Sequence, residues 1–126
     1  MRTKKTRHVV YNINYHLVWC PKYRKNILIG TCKELIDKLI RDVCFQRGWE
    51  LISLSIQPDH LHVFISVPPI FSPMFVVKVL KGTTAINAIK DHRFAKRFWS
   101  PSYYVGTAGT VTEQTIQKYI QEQERR

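Results

Sequence analysis

Two histidines separated by a single residue, His60 and His62, are the first candidates for chemistry in this sequence. They follow the turn-forming pair Pro58-Asp59 in a segment of apolar and β-branched residues. Side chains two apart on a strand share a face and lie roughly 6.5–7 Å apart along the backbone, so both ring nitrogens can converge on one ion. Imidazole is a ligand for Mn, Zn, Fe and similar metals. An isolated His-x-His pattern is nevertheless short, and it more often marks two surface histidines that bind nothing.

A tyrosine near the end of the chain is the second candidate. Tyr119 and Gln123 are four residues apart in a segment with helical periodicity, so their side chains share one helix face. A phenol with a pKa near 10 is a poor nucleophile at neutral pH unless a cation or a base assists it. A metal ion could assist by polarising the phosphate that the phenol attacks. A helical tyrosine is more often a packing residue, although Ile116 and Ile120 could provide the packing alone.

A β-hairpin is predicted to position the histidines. Leu51 to Gln57 and His60 to Val67 read as two strands joined by a two-residue turn. The register pairs Gln57 with His60, Ser55 with His62 and Ser53 with Phe64 on one face, and Ile56 with Leu61, Leu54 with Val63 and Ile52 with Ile65 on the other. The second face is wholly aliphatic and therefore belongs to the core, which leaves both histidines on the open face.

The other elements complete an α+β order. A half-buried strand is predicted over residues 9 to 20, and a short strand over 101 to 106. Three helices are predicted: one from a Thr31–Glu34 capping box to Gly48, one from Ser72-Pro73 to about residue 91, and one from a Thr110–Glu113 capping box through Tyr119. Gly82, inside the second helix, suggests the close approach of another backbone or of a phosphate.

This order, β-α-β-β-α-β-α, predicts a ferredoxin-like (RRM-like) sandwich. It has a four-stranded antiparallel sheet with two helices on one face, and an extra C-terminal helix that carries the tyrosine and can lie on the open face. The length of 126 residues fits a single domain over 1–126.

Net charge points to the partner. Twenty Lys and Arg against nine Asp and Glu give +11, which favours an anionic partner, most commonly nucleic acid. A basic amphipathic helix, a lipidation signal and a membrane-length apolar segment are all absent from the sequence, so we expect a cytoplasmic protein. The odd set Cys20, Cys32 and Cys44 lacks a CxxC spacing, which argues against a disulfide framework or a zinc knuckle.

Five motifs occur in order across nearly the whole chain. They are Tyr15-His16-Leu17-Val18-Trp19 with Lys22-Tyr23-Arg24, then Pro58-Asp59-His60-Leu61-His62, Leu80-Lys81-Gly82, Phe98-Trp99-Ser100 and Tyr119-Ile120-x-x-Gln123. Together they resemble the single-tyrosine HUH transposases of the insertion sequence 200/605 family. Each motif alone is weak, and their order and spacing carry the resemblance.

The resemblance implies a role for each matched residue. His60 and His62 would ligate a divalent metal, Mg²⁺ or Mn²⁺, with Gln123 as third ligand, and Tyr119 would be the nucleophile. Family members act as homodimers in which the tyrosine helix of one subunit can complete the metal site of the other. They bind imperfect single-stranded DNA hairpins near element ends, cleave one strand, and hold a 5′-phosphotyrosine until a free 3′-hydroxyl rejoins the ends.

DNA contacts are predicted for a further set of residues. Basic side chains that could grip the backbone are Lys22, Arg24, Lys78 and Lys81, and aromatic side chains that could stack on unpaired bases are Tyr23, Trp99 and Tyr103. His16 has the polar parity of the first strand, so it could contact DNA or compete with Gln123 as the third ligand. For any single Lys or Arg, a solvated surface position is the more common role.

Three rival functions fit part of this pattern. A non-catalytic RRM-like module that holds single-stranded nucleic acid would explain the charge and the fold, but it gives no reason for the His60, His62, Tyr119 and Gln123 set. A metal-dependent hydrolase would activate water and leave Tyr119 as packing. A domesticated transposase relative would keep the chemistry and act on chromosomal hairpins.

Overall fold

Four antiparallel strands form the central sheet of the computed structural model, which describes residues 4–5, 10–89, 97–107 and 112–123. In chain order the strands are β1 (Lys4–Lys5), β2 (Val10–Tyr11), β3 (Asn14–Trp19), β4 (Glu50–Gln57), β5 (His60–Ser66) and β6 (Tyr104–Gly106). The short strands β1 and β2 pair only with each other, and the central sheet has the order β4-β5-β3-β6. This order, with all neighbours antiparallel, confirms the predicted ferredoxin-like sheet.

Three helices flank the sheet: α1 (Gly30–Arg47), α2 (Pro73–Ala88) and α3 (Glu113–Glu122). Helix α1 ends as predicted, because Gly48 adopts a left-handed φ of 69° and its N–H bonds to the carbonyl of Phe45. Its start differs from the prediction. The N-cap is Ile29, which makes no side-chain capping bond, so the Thr31–Glu34 capping box does not form.

The other two helices have side-chain caps at their N-termini. Ser72 accepts a hydrogen bond from the Phe75 N–H (3.1 Å) and precedes Pro73, as predicted, although α2 ends at Ala88 rather than near residue 91. The cap of α3 is Thr112, whose hydroxyl accepts from the Thr115 N–H. The predicted cap was therefore wrong by two residues, and Thr110 itself lies outside the described residues.

The sheet buries both of its faces at β3. Helices α1 and α2 cover one face, where the core includes Leu17, Trp19, Ile36, Ile40, Leu61, Val63, Ile65, Val76 and Leu80. A second, smaller cluster lies on the opposite face, where Val18 and Cys20 meet Ile116 and Ile120 of α3. The expectation that the C-terminal helix lies on the open face of the sheet is confirmed. No helix in the described parts of the chain is long and apolar enough to cross a membrane.

The β4–β5 hairpin follows the predicted register for its first five pairs. Gln57 pairs with His60 and Ser55 pairs with His62. The register then shifts between Leu51 and Ser53, so Leu51 rather than Ile52 opposes Ile65. This β-bulge moves Ile52 out of the predicted core face and leaves it 42% exposed.

Two glycines provide a test of this backbone. A side chain at Gly48 would be strained by its φ of 69°, whereas Gly82 lies in the interior of α2. Gly48→Ala should lower the free energy of unfolding by roughly 1–2 kcal/mol, because the left-handed conformation disfavours a Cβ atom. Gly82→Ala should raise it by about 0.5–1 kcal/mol, because alanine is the better helix former.

Both substitutions are sterically open, since a Cβ atom at either position meets no described atom within 4 Å. The close backbone approach suggested for Gly82 is therefore not present. Urea unfolding of the two variants measures the difference. Destabilisation by Gly82→Ala would contradict the placement of this residue in an uncrowded helix interior.

Candidate active site

His60 and His62 line one cleft of about 360 Å³ on the side of the sheet that α3 covers. Strand alternation directs both imidazoles away from the core face that contains Leu61 and Val63. The other walls combine three sources: His16 from β3, Ser55 and Gln57 from β4, and Thr112, Ile116 and Gln117 from α3 and its N-cap. The sequence-predicted histidine pair is thus brought together in a pocket that the terminal helix helps to close.

A carboxylate orients His60. Asp59 Oδ1 lies 2.8 Å from His60 Nδ1, and Asp59 Oδ2 lies 3.2 Å from Nε of Arg24. An ionised carboxylate only accepts hydrogen bonds, so this contact keeps the proton on Nδ1 and leaves the lone pair on Nε2. The carboxylate–imidazole pair is the usual support behind a metal-binding histidine. Arg24 also donates to the Ile120 carbonyl of α3 at 3.4 Å, which links this network to the terminal helix.

His62 has the properties of a neutral imidazole ligand. Its Nε2 is buried and has no hydrogen-bond partner among the described residues. Burial lowers the pKa of His62 below 6.5, and the nearby imidazoles of His60 and His16 lower it further, so the uncharged ring is favoured. A buried nitrogen without a partner is costly in a protein, and a metal ion would satisfy it. The two histidines therefore fit a metal site.

His16 is the further histidine that lines the same cleft. Among the described residues, no group of three or more His, Cys, Asp or Glu side chains is arranged to hold a metal ion. His16 stacks on Phe64 with ring centroids 4.0 Å apart, and its ring lies 6.4 Å from that of His62. Burial lowers the pKa of His16. Both roles considered for His16, a third metal ligand and a contact with DNA, stay predictions.

Tyr119 and Gln123 lie together, but in a different polar network. The Tyr119 hydroxyl is 2.8 Å from Oγ of Ser102. The side-chain carbonyl of Gln123 accepts hydrogen bonds from Ser100 Oγ (3.1 Å) and Ser102 Oγ (2.9 Å), and Gln123 is only 2% exposed. Neither residue lines the histidine cleft. In this arrangement α3 directs its tyrosine and its glutamine to the serines.

Lys81 forms hydrogen bonds with the backbone of both serines. Its ammonium donates to the backbone carbonyls of Ser100 (2.7 Å) and Ser102 (2.8 Å). Burial lowers the pKa of Lys81 from 10.5 to about 8. Contact with DNA stays a prediction for Lys81, but two of its three donors are already used to hold the segment that binds Tyr119 and Gln123.

The other predicted DNA contacts fall into three settings. Lys78 is exposed on α2. Lys22 and Tyr23 line a separate basic cleft, next to Arg24 with its Asp59 contact. Trp99 is 5% exposed and its indole N–H donates to Thr84 Oγ1 at 3.0 Å, so this ring lies in the core and offers no open face for a base. Tyr103 is half-buried against the same core.

Three residues that surround the candidate site were missed in the sequence. Gln117 lines the histidine cleft, but its residue type and helix position do not distinguish it from Gln114 and Gln121. Ser100 and Ser102 bind Gln123 from a segment about twenty residues away in sequence. The pattern Ser-Pro-Ser before a short strand is the one available signal for them, and it predicts a turn more readily than a partner for a glutamine.

Comparison with known proteins identifies relatives over nearly the whole length. Residues 9–123 match the family described as "Transposase IS200 like". The chain is 36% identical to the ISDra2 transposase TnpA of Deinococcus radiodurans, over 98% of this chain and 92% of the relative. It is 30% identical to the transposase for insertion sequence element IS200 of Salmonella typhimurium, over 95% of this chain and 82% of the relative.

Two solved structures share the fold. One is the crystal structure of a Deinococcus radiodurans R1 protein described as a transposase, with a TM-score of 0.81 and 35% identity, over 95% of this chain and 97% of that one. The other is a REP-associated tyrosine transposase bound to a REP hairpin, with a TM-score of 0.61 over 92% of this chain and 68% of that one. At 15% identity, the second match shows the fold alone.

The lowered pKa of Lys81 predicts a pH dependence of stability. Between pH 8 and 10.5 the unfolded chain holds a proton on this lysine more often than the folded chain does, so this residue makes the free energy of unfolding rise with pH. Relative to Lys81→Met, the wild type should gain stability across this window in urea unfolding experiments. Comparison with the variant cancels the opposite effect of Cys44, whose pKa burial raises to about 11.

The matched control is Lys78→Met, which removes an exposed lysine from the same helix. If Lys78→Met and Lys81→Met changed the pH profile equally, the effect could not be assigned to the buried ammonium.

Proposed function

This chain belongs to the IS200-like transposases, and from that membership we propose that it cleaves and rejoins single-stranded DNA through a covalent bond to Tyr119. The observation that carries the proposal is the histidine cleft. There, His62 has a buried nitrogen without a hydrogen-bond partner in the part of the chain that the structure describes, and His60 is oriented by Asp59. A site of this kind is suited to a metal ion placed against a phosphate.

We infer that His60 and His62 hold Mg²⁺ or Mn²⁺, and that the amide oxygen of Gln123 is the third ligand in the active state. When bound, such an ion supplies positive charge that polarises the scissile phosphate. Two imidazoles and one amide are neutral, so the ligands leave the full charge of the ion available for this purpose. Asp59 keeps the His60 lone pair facing the cleft, and burial keeps His62 uncharged.

The proposed reaction proceeds in two balanced steps. The Tyr119 oxygen attacks the phosphorus, the bond from phosphorus to the 3′-oxygen breaks, and the phenol proton passes to the departing 3′-oxygen directly or through water. A 5′-phosphotyrosine and a free 3′-hydroxyl result. In the second step the oxygen of a 3′-hydroxyl attacks the phosphorus, the bond from phosphorus to the Tyr119 oxygen breaks, and the hydroxyl proton passes to that oxygen. The covalent intermediate conserves the phosphodiester bond energy, so rejoining needs no ATP.

Helix α3 must change position for this reaction. Tyr119 and Gln123 are bound to Ser100 and Ser102 rather than lining the histidine cleft. The apolar cluster beneath α3 is small compared with the core under α1 and α2, so undocking this helix exposes little apolar surface. We propose that the active form is a homodimer, in which the tyrosine helix of one subunit can complete the metal site of the other.

We propose DNA hairpins at element ends as the substrate. The net charge of +11 favours an anionic polymer. A protein that shares the fold, the REP-associated tyrosine transposase, is bound to a REP hairpin. A transposase acts where the DNA of its host is found, so we expect a cytoplasmic protein in a bacterial cell.

Tyr119→Phe is the first test of the mechanism. With labelled single-stranded hairpins from the flanks of its own gene and Mn²⁺ or Mg²⁺, the wild type should form a covalent protein–DNA adduct on a denaturing gel. Tyr119→Phe should form none and should bind the hairpin nearly as well, because only the attacking oxygen is lost. Tyr104→Phe is the matched control, since it removes a hydroxyl from the ring 6.1 Å away and should retain the adduct. Cleavage without an adduct would indicate a hydrolase instead.

His62→Ala tests the metal site. We expect Mn²⁺ affinity, measured by calorimetry on the free protein, to fall by about 100-fold or more, because even partners behind a metal ligand contribute 10–100-fold. Metal-dependent cleavage should be lost with it. Ser55→Ala changes the wall of the cleft directly opposite His62 and should leave both quantities nearly unchanged. Unaltered metal binding in His62→Ala would mean that the two histidines do not form a metal site.

A further inference from the structure

A second cleft of about 530 Å³ lies apart from the histidine cleft and shares no lining residue with it. Its volume is within the range of roughly 300–1,000 Å³ that is typical of ligand sites. Its walls come from the turn after β3, the end of α2 and the segment before Trp99. They include three cations, Lys22, Lys25 and Arg97, and two aromatic rings, Tyr23 and Phe98.

The turn that carries Tyr23 is held in an unusual conformation. Tyr23 and Arg24 have φ values of 60° and 51°, a left-handed conformation that non-glycine residues rarely adopt. Arg24 anchors the turn through its contacts with Asp59 and the Ile120 carbonyl, and the backbone N–H of Lys22 bonds to the Phe98 carbonyl at 3.0 Å. These contacts direct the Tyr23 ring outward, where it is 55% exposed.

Two lysines, Lys22 and Lys25, place their ammonium groups near the Tyr23 ring. The ammonium groups of Lys22 and Lys25 lie 5.6 and 5.8 Å from the centre of the Tyr23 ring. Neither lysine forms an ion pair with a carboxylate in the described parts of the chain. Two ammonium groups over one exposed ring, in a cleft lined by a further guanidinium, place charge for phosphate next to an aromatic ring on which a base can stack.

This combination selects the chemistry of the ligand. A phosphate alone would need the cations but not the ring. Duplex DNA would contact the cations through its backbone, but its bases are stacked on each other and offer no free face. An unpaired nucleotide uses both features, because its base can stack on tyrosine while the phosphates on either side meet the lysines.

We propose that this cleft binds an unpaired nucleotide of the DNA strand, with its base stacked on Tyr23 and its phosphates held by Lys22 and Lys25. The inference rests on the proposed single-stranded substrate and adds a subsite outside the histidine cleft. It separates the basic residues by role: Lys22 and Lys25 face the ligand, whereas Arg24 shapes the turn that presents Tyr23.

Three probes isolate the stacking contribution: oligothymidylate of roughly 12 nucleotides, an abasic strand with the same number of phosphates, and a duplex of the same length. Binding is measured by fluorescence anisotropy with EDTA, so that cleavage does not enter. Tyr23→Asn removes the ring and keeps a residue that tolerates a left-handed turn. It should weaken binding of oligothymidylate about tenfold and leave the other two probes nearly unchanged. Tyr23→Phe keeps the ring and should bind like the wild type.

The lysines are tested by the salt dependence of the same binding. Lys22→Gln with Lys25→Gln should weaken binding to both single-stranded probes and reduce the slope of log affinity against log salt by up to about 1.4, from about 0.7 per single-strand phosphate contact. Lys33→Gln with Lys38→Gln removes the same charge from the exposed face of α1 and should change the slope less. Thermal unfolding establishes that each variant is folded.

Each outcome has a definite meaning. Equal losses for Tyr23→Asn on the thymidylate and abasic strands, or no loss at all, would overturn the stacking site while leaving the proposed function intact. Equal slopes for the two lysine pairs would overturn the phosphate contacts in the same way. If the wild type bound none of the probes and no gene-flanking hairpin, the proposed function would fail, and this inference with it.

Discussion

The burial of alternate residues of β5 is the constraint on which the candidate site depends. Leu61, Val63 and Ile65 are almost completely inaccessible beneath α1 and α2, and shifting the strand by one residue would bring histidine side chains into the core in their place. Because successive side chains point to opposite faces, the same burial directs His60 and His62 to the other side of the sheet. The energy that maintains the register is hydrophobic, and the position of the two imidazoles is its consequence.

Helix α3 gives this second face its chemical character. It covers the sheet through a small apolar cluster. Its side chains contact two different sites: Gln117 lines the histidine cleft, whereas Tyr119 and Gln123 form hydrogen bonds with the serines. Tyr119, the proposed nucleophile, and the two histidines thus occupy one side of the sheet without sharing a pocket. The proposed covalent mechanism would benefit from such separation, because motion of a single helix could present and withdraw the tyrosine.

Some basic residues of this chain form contacts within the fold and others face an open cleft, a difference that the net charge does not reveal. Arg24 and Lys81 are directed inward, one to Asp59 and the α3 backbone and the other to the carbonyls of the serine segment. Lys22 and Lys25 face a cleft in which no carboxylate neutralises them among the described residues. The inward pair holds α3 and the serine segment in place, and the outward pair carries the charge that we propose for contact with DNA phosphates. The overall charge of +11 is therefore an upper limit on the charge available to DNA.

Features that depend on neighbours along the chain could be predicted from the sequence. The alternation of β5 and the two-residue turn were enough to predict which residue opposes His62, and helical periodicity was enough to place Tyr119 and Gln123 on one face. Features that depend on contacts between distant segments could not. The bulge at Ile52, the burial of Trp99 against Thr84 and the serine partners of Gln123 each arise where residues far apart in sequence meet in the folded chain. Local periodicity determines which face a side chain occupies, and tertiary packing alone decides what it meets there.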